Sequence, residues 1–288
     1  NINLLNELET AVKLKADGIG LYRTEFPFLI RTAFPSEDEE YKVYRRLCDG
    51  MPGEVVTFRT LDIGGDKLPS YWENAGEPNP QLGLRSIRFS LSHPDQFRQQ
   101  LRAILRAGVH TPALRVMFPM IMSLDEFHQV RTIVDDILRS LAAEGTPHHA
   151  RPALGVMIEV PAMVEIIDDL AAAAMRQLRE IGGEEAVQEF ARRRIDTILA
   201  GVTDGPDDVE STAERVAAAL TRAGYATTTT KVRGPIQGIQ ICQHHCPVSH
   251  VAEEFPELCE AEQQAMSEIL GTHVQRLATI APKTGMWP

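Results

Sequence analysis

Continuous apolar runs recur along the first part of the chain at Gly18–Tyr22, Val55–Leu61, Leu114–Met120 and Leu154–Val160. Runs of this length without polar alternation predict strands buried on both faces. Between them the period changes to three or four residues. Pro94–Ala107 sets Phe97, Leu101 and Ile104 on one helical stripe. Ser36-Glu-Asp-Glu39 and Ser123-Leu-Asp-Glu126 read as capping boxes, in which a hydroxyl and a carboxylate take up the orphan amides of a first turn. Strands alternating with helices predict a parallel sheet, either open or closed into a barrel.

The pattern changes near residue 170. Ala171–Arg194 predicts an alanine-rich helix with Met175, Leu178 and Ile181 on one side. No Pro or Gly falls between Ala162 and Ile181, so a helix is expected to run nearly unbroken over Pro161–Arg194. Asp204–Asp208 reads as a loop and Ser211–Ala223 as an amphipathic helix. Tyr225–Val232 and Ile236–Cys242 predict a hairpin turning at Gly234-Pro235. Pro247–Glu254 and Cys259–Leu270 predict helices, and Val274–Ile280 a last strand. The expected organisation is an α/β domain over residues 1–170 and a smaller α+β domain over 171–288.

Composition narrows the function classes. Forty acidic residues against 29 basic ones give the 288-residue chain a net charge of −11. The deficit is even, with 18 basic and 24 acidic residues in 1–170 and 11 and 16 in the remainder. No basic face dominates, so nucleic-acid binding is not expected. No apolar run reaches the roughly 18–20 residues of a membrane span, and Asn1–Leu5 carries no basic leader. A cytoplasmic protein is expected. Of four cysteines, Cys242, Cys246 and Cys259 crowd together while Cys48 stands apart.

Chemistry-bearing residues follow the predicted strands. Gly20-Leu-Tyr22 runs into Arg23-Thr-Glu25, Val55–Phe58 into Arg59 and then Asp62–Lys67, and Val156-Met-Ile158 into Glu159. In α/β barrels the C-terminal strand ends carry the active site; for any single residue a rim salt bridge is an equal reading. Arginine forks suit a small dianion such as a phosphate or carboxylate. Glu159 suits Mg²⁺, which uses one or two carboxylates plus substrate oxygens. Gly64-Gly65 allows close backbone approach or forms a plain turn. The spacing of Cys242, Cys246 and Cys259 suits zinc, an iron–sulfur cluster, or reduced structural thiols.

Five motifs stand in order: Gly18-Ile-Gly-Leu-Tyr-Arg-Thr-Glu-Phe26, Phe58-Arg-Thr-Leu-Asp-Ile-Gly-Gly-Asp-Lys67, Asn79-Pro-Gln-Leu-Gly-Leu-Arg-Ser-Ile-Arg88, Arg115-Val-Met-Phe-Pro-Met-Ile121 and Gly155-Val-Met-Ile-Glu-Val-Pro161. Together they resemble the C-terminal domain of enzyme I of the phosphotransferase system, over residues 1 to about 170. The resemblance implies a (β/α)8 barrel, here an incomplete one of about five β/α units. It implies binding of phosphoenolpyruvate with Mg²⁺, Arg23 and Arg59 holding the phosphate and carboxylate, Arg85 close by, and Glu159 as metal ligand. It also implies phosphoryl transfer to a protein histidine, a phosphocarrier protein as partner, and a homodimer. The family's Gly-Thr-Asn-Asp-Leu motif and Cys-Gly-Glu context have no counterpart in residues 171–288. The phosphohistidine domain is also missing, so turnover by this chain alone is not expected.

Leu178-Arg-Glu-Ile-Gly-Gly-Glu-Glu-Ala186 and Ile241–Glu260, followed by Val274–Ile280, resemble the effector half of iron–sulfur-sensing winged-helix regulators. That resemblance implies Cys246 and Cys259 as cluster ligands with Cys242 as a third candidate. Three readings therefore stand side by side: a phosphoenolpyruvate-dependent phosphotransferase domain, a metal- or cluster-sensing module, and a chimeric join seamed within Ile166–Met175.

Overall fold

The computed structural model describes residues 1–64, 83–202, 209–232 and 238–277. The chain divides into two compact units, Asn1–Ile166 and Ile167–Pro288. No described helix is long and apolar enough to cross a membrane.

The first unit is built on a four-stranded parallel sheet. Its strands are β1 (Gly18–Arg23), β2 (Val55–Arg59), β3 (Ala113–Phe118) and β4 (Ala153–Val156), paired in sequence order. The helices between them are α1 (Leu5–Lys13) before β1, α2 (Phe26–Leu29) and α3 (Glu37–Gly50) after it, α4 (Ser86–Ser92) and α5 (Pro94–Ala107) after β2, α6 (Leu124–Ala143) after β3, and α7 (Pro161–Glu165) after β4. Each strand run read from the sequence overlaps one of these strands, but β2, β3 and β4 stop two, two and four residues short of the runs' ends. About five β/α units were expected; the described residues contain four, with Ile2 adding only an isolated parallel bridge to Tyr22. The sheet is open among the described residues, and Ile158, just past the edge strand β4, is 55% exposed.

Local chemistry accounts for the element starts. Ser36 accepts from the Glu39 amide while Glu39 Oε2 accepts from the Ser36 amide at 2.8 Å, a reciprocal box. At Ser123 only half the box forms. Its hydroxyl caps Glu126, but the Glu126 carboxylate turns to the Met122 amide instead. Helix α5 places Phe97, Leu101 and Ile104 in the core, and Phe97 meets Phe118 of β3 edge-to-face at 6.3 Å. Tyr22, Tyr44 and Phe58 form a second aromatic group, with ring centroids 5.1–6.1 Å apart.

The second unit comprises α8 (Ile167–Ile198), α9 (Val209–Arg222), the antiparallel pair β5 (Thr227–Val232) and β6 (Gly238–Gln243), α10 (Ser249–Glu254) and α11 (Glu257–Leu270). Val187, Ile195, Leu220, Tyr225, Phe255 and Leu258 anchor its core. The expected helix over Pro161–Arg194 is continuous through 170–175 but not throughout. It breaks at Ile166 (φ −109°, ψ 11°) and kinks at Gly183 (φ 68°, ψ −169°). The first break falls at the boundary between the units: Met163 is fully buried before it, and Met175 joins the second unit's core after it. The kink uses a backbone conformation that glycine reaches without strain.

The expected strand at Val274–Ile280 does not form over 274–277. There the Val274 carbonyl accepts from Gln263, and Arg276 donates to the Cys259 carbonyl, so both ties run to α11. Residues 278–280, the loop at 204–208, the turn at Gly234-Pro235, and the motif positions 65–67 and 79–82 lie outside the described residues.

Candidate functional site

All four parallel strands end at one edge of the sheet, and the candidate residues gather there. Arg23 and Arg59 are register partners across β1 and β2, and the row continues to Met117 and Gly155. Arg23 is exposed and makes no ion pair among the described residues. Arg59 is only 7% exposed. Its Nη2 pairs closely with Glu25, its Nη1 lies 3.2 Å from Asp62 Oδ2, and the same nitrogen meets Met157 Sδ at 3.9 Å. Asp62 also accepts from Ser86 Oγ and lies 3.7 Å from Arg85 Nη2. The result is an alternating row Glu25–Arg59–Asp62–Arg85. Arg59 Nε and Thr60 Oγ1 are buried with no hydrogen-bond partner.

The charges in this row are partly desolvated. Burial holds the Glu25 carboxyl above the usual range, against the adjacent Arg59 guanidinium that pulls it down. An incoming dianion would compete with Asp62 for Arg59 and Arg85 and would find Arg23 uncommitted.

Glu159 lies beyond the end of β4 and is exposed. Its Oε1 accepts from the Met120 amide at 2.7 Å, just past β3, where Met120 adopts φ 55°. That bond leaves the second carboxylate oxygen for a cation. Among the described residues no group of three or more His, Cys, Asp or Glu side chains is placed to hold a metal. The single carboxylate suits Mg²⁺ bound mainly through substrate oxygens and water.

The sequence offers Arg23, Arg59, Arg85 and Glu159 as candidates and leaves Glu25 and Asp62 as motif neighbours. Both carboxylates are what the buried guanidinium requires, since a lone buried charge is costly. A Gln buried on an apolar helical stripe, Gln100, was the other available signal.

Beneath the row lies a buried polar network. Thr24 Oγ1 donates to the Arg59 carbonyl at 3.0 Å, and Tyr44 OH donates to Glu40 Oε1 at 2.8 Å. Gln99 donates to the other Glu40 oxygen at 3.1 Å. Burial pushes Glu40 from 4.5 up to about 7, only partly offset by the bonds from Gln99 and Tyr44. A carboxyl raised in the fold contributes its stability in full below its unfolded value and loses it as pH climbs through the folded one. Unfolding stability of the first unit should therefore fall between about pH 4.5 and 7, with Glu40 supplying on the order of 3 kcal/mol. Glu25 acts in the same direction, so the measurement is a difference: urea midpoints across that window for wild type and Glu40→Gln. Parallel slopes in the two proteins would refute the assignment.

The three clustered cysteines behave differently from the metal-site expectation. Cys242 lies on β6, Cys246 just after it and Cys259 in α11, all as free thiols. Cys246 and Cys259 pack against the second unit's apolar core, and burial raises both thiols. The zinc or iron–sulfur expectation finds no support: among the described residues no three His, Cys, Asp or Glu side chains are placed to hold a metal.

An open parallel sheet with arginines and a glutamate at its carboxyl edge defines the class, an α/β domain. Comparison with known proteins gives the family. The description "PEP-utilising enzyme, PEP-binding domain" matches residues 1–224, and the chain belongs to that family. Its TIM-barrel domain accounts for the sequential parallel strands. The matched stretch runs past Met175, across the position where a seam was read, and no finding supports an iron–sulfur regulator in 171–280.

The phosphoenolpyruvate-protein phosphotransferase of Listeria monocytogenes is 44% identical over 171 residues, covering 59% of this chain and 30% of that protein. That of Mycoplasma capricolum is 39% identical over 196 residues, 68% of this chain and 34% of its own length. That of Lactococcus lactis subsp. cremoris is 43% identical over 173 residues, with 59% and 30% covered. The chain thus spans about a third of the length of the curated relatives it matches.

Proposed function

We propose that the carboxyl edge of the first unit's sheet binds phosphoenolpyruvate. Arg23 and Arg59 take its phosphate and carboxylate, and Arg85 contributes from beside Asp62. The observation that carries the reading is Arg59: a guanidinium buried at a strand end, with one unpartnered nitrogen, between an exposed arginine and a half-buried one. Guanidinium forks match both anionic groups of this substrate and keep their charge at any working pH. Glu159 would hold Mg²⁺ at the same edge, where the ion would neutralise charge on the phosphoryl oxygens.

The activity for which these relatives are named supports a wider proposal. We extend the reading to phosphoryl transfer from phosphoenolpyruvate to a protein histidine and on to a phosphocarrier protein. The chain's own residues bind and orient the donor, and the orientation places the phosphoryl group at the open edge where an acceptor can approach.

Calorimetry with phosphoenolpyruvate, with and without Mg²⁺, tests the reading. Heat that strengthens with the metal is expected. In Glu159→Gln, phosphoenolpyruvate should still bind, but the Mg²⁺ enhancement should fall by about tenfold or more, roughly 1.4 kcal/mol. No heat at millimolar ligand would overturn the substrate assignment, and an intact enhancement in the variant would overturn the role of Glu159.

A further inference from the structure

Gln100 is a buried neutral polar side chain near the site with every polar group bonded. It lies on α5 in the same stripe as Phe97, Leu101 and Ile104 and is 2% exposed. Burying an amide there costs free energy unless every polar atom is satisfied. Gln100 meets that condition. Its Oε1 accepts from the Leu61 amide at 2.9 Å, and its Nε2 donates to Thr24 Oγ1 at 3.2 Å and to Tyr44 OH at 3.3 Å. The Leu61 amide can only donate, which settles which end of the side-chain amide faces it.

The two segments it joins are those that carry the charged row. Thr24 stands between Arg23 and Glu25, and its hydroxyl in turn donates to the Arg59 carbonyl. Leu61 stands immediately before Asp62 and two residues after Arg59. One side chain therefore ties the ends of β1 and β2 together at the level of the arginines. A leucine would fill the stripe without that tie.

We infer that Gln100 is a positioning residue for the anion site, holding Arg23 and Arg59 at the spacing that lets both guanidiniums engage one ligand with two anionic groups. The inference rests on the phosphoenolpyruvate reading above and adds to it the origin of selectivity for a two-anion ligand. A two-point ligand depends on the distance between its two receptors, whereas a one-point ligand such as inorganic phosphate does not.

The test measures both ligands by calorimetry on the full chain, phosphate by competition, at a temperature where circular dichroism shows each variant folded. Gln100→Leu should weaken phosphoenolpyruvate by about 20-fold or more and phosphate by about threefold or less. Thr24→Val cuts the same tie at its other end and should show the same selective loss, which keeps the test available should Gln100→Leu not fold. An equal loss for both ligands would mean a merely structural role and would overturn the inference. Variants that match wild type would overturn it while leaving the substrate reading standing. A wild-type protein that binds no phosphoenolpyruvate would overturn both.

Discussion

Replacing Arg59 with lysine should weaken phosphoenolpyruvate binding by about a hundredfold, close to 2.7 kcal/mol. The charge is kept, but the fork that reaches Glu25, Asp62 and the ligand at once is lost. Arg59→Ala removes the charge as well. Glu25 would then be a buried carboxylate without its partner, a change that typically costs about 3–5 kcal/mol. That is a large share of a domain's stability of roughly 5–15 kcal/mol, so the alanine variant should be markedly less stable. Because burial already raises Glu25, this loss should deepen as pH rises and the orphaned carboxyl ionises.

Arg23→Ala supplies the contrast. Its side chain is exposed and makes no ion pair among the described residues, so thermal stability should move by only about 0.5 kcal/mol while affinity still drops. Calorimetry and thermal unfolding on the three variants separate the two effects. If Arg59→Lys binds as tightly as wild type, the buried guanidinium does not contact the ligand.

The second large effect is expected at Gly64→Ala. Gly64 has φ 137°, outside the range L-residues adopt freely. A methyl added there would lie 2.2 Å from Arg85 Cβ and 2.7 Å from Arg85 Cα. The facing segment at the start of α4 cannot simply retreat, because the Ser86 amide donates to the Ile63 carbonyl at 2.8 Å and Ser86 Oγ holds Asp62. Both strain and overpacking destabilise, together by about 2–5 kcal/mol. In a unit of this size that corresponds to a fall of roughly 5–15 °C in Tm. Moving segment 84–86 also shifts Arg85 away from Asp62, so weakened phosphoenolpyruvate binding should accompany the lower Tm. A variant melting within about a degree of wild type would show that Gly64 is not a required close approach.

Much of the fold was legible because its causes are local. The four strands of the first unit, the cap at Ser36, helix α5 and the β5–β6 pair each follow from a short periodic or capping signal. The break at Ile166 has no such signal. It contains no Pro or Gly, and it arises where two compact units each bury their own side of the chain. Val274–Leu277 has β-type composition but no neighbouring strand to pair with among the described residues; side chains of α11 and Arg276 make its bonds instead. The cysteine spacing left a metal site and reduced structural thiols both open, because spacing along a chain does not say which way a thiol turns. Cys246 and Cys259 are half-buried and pack against the second unit's core.

By itself, the sequence determined the repeating strand–helix order, the arginines and glutamate at strand ends, and the family motifs, because period, breakers and motif identity are properties of neighbouring residues. Only the tertiary structure decided that Glu25 and Asp62 bracket Arg59, that Gln100 ties Thr24 to Leu61, and that Glu40 is buried far enough to hold a proton near neutrality. Those facts depend on strand register and on the removal of water, which bring together residues up to 76 positions apart. No local pattern along the chain encodes that meeting.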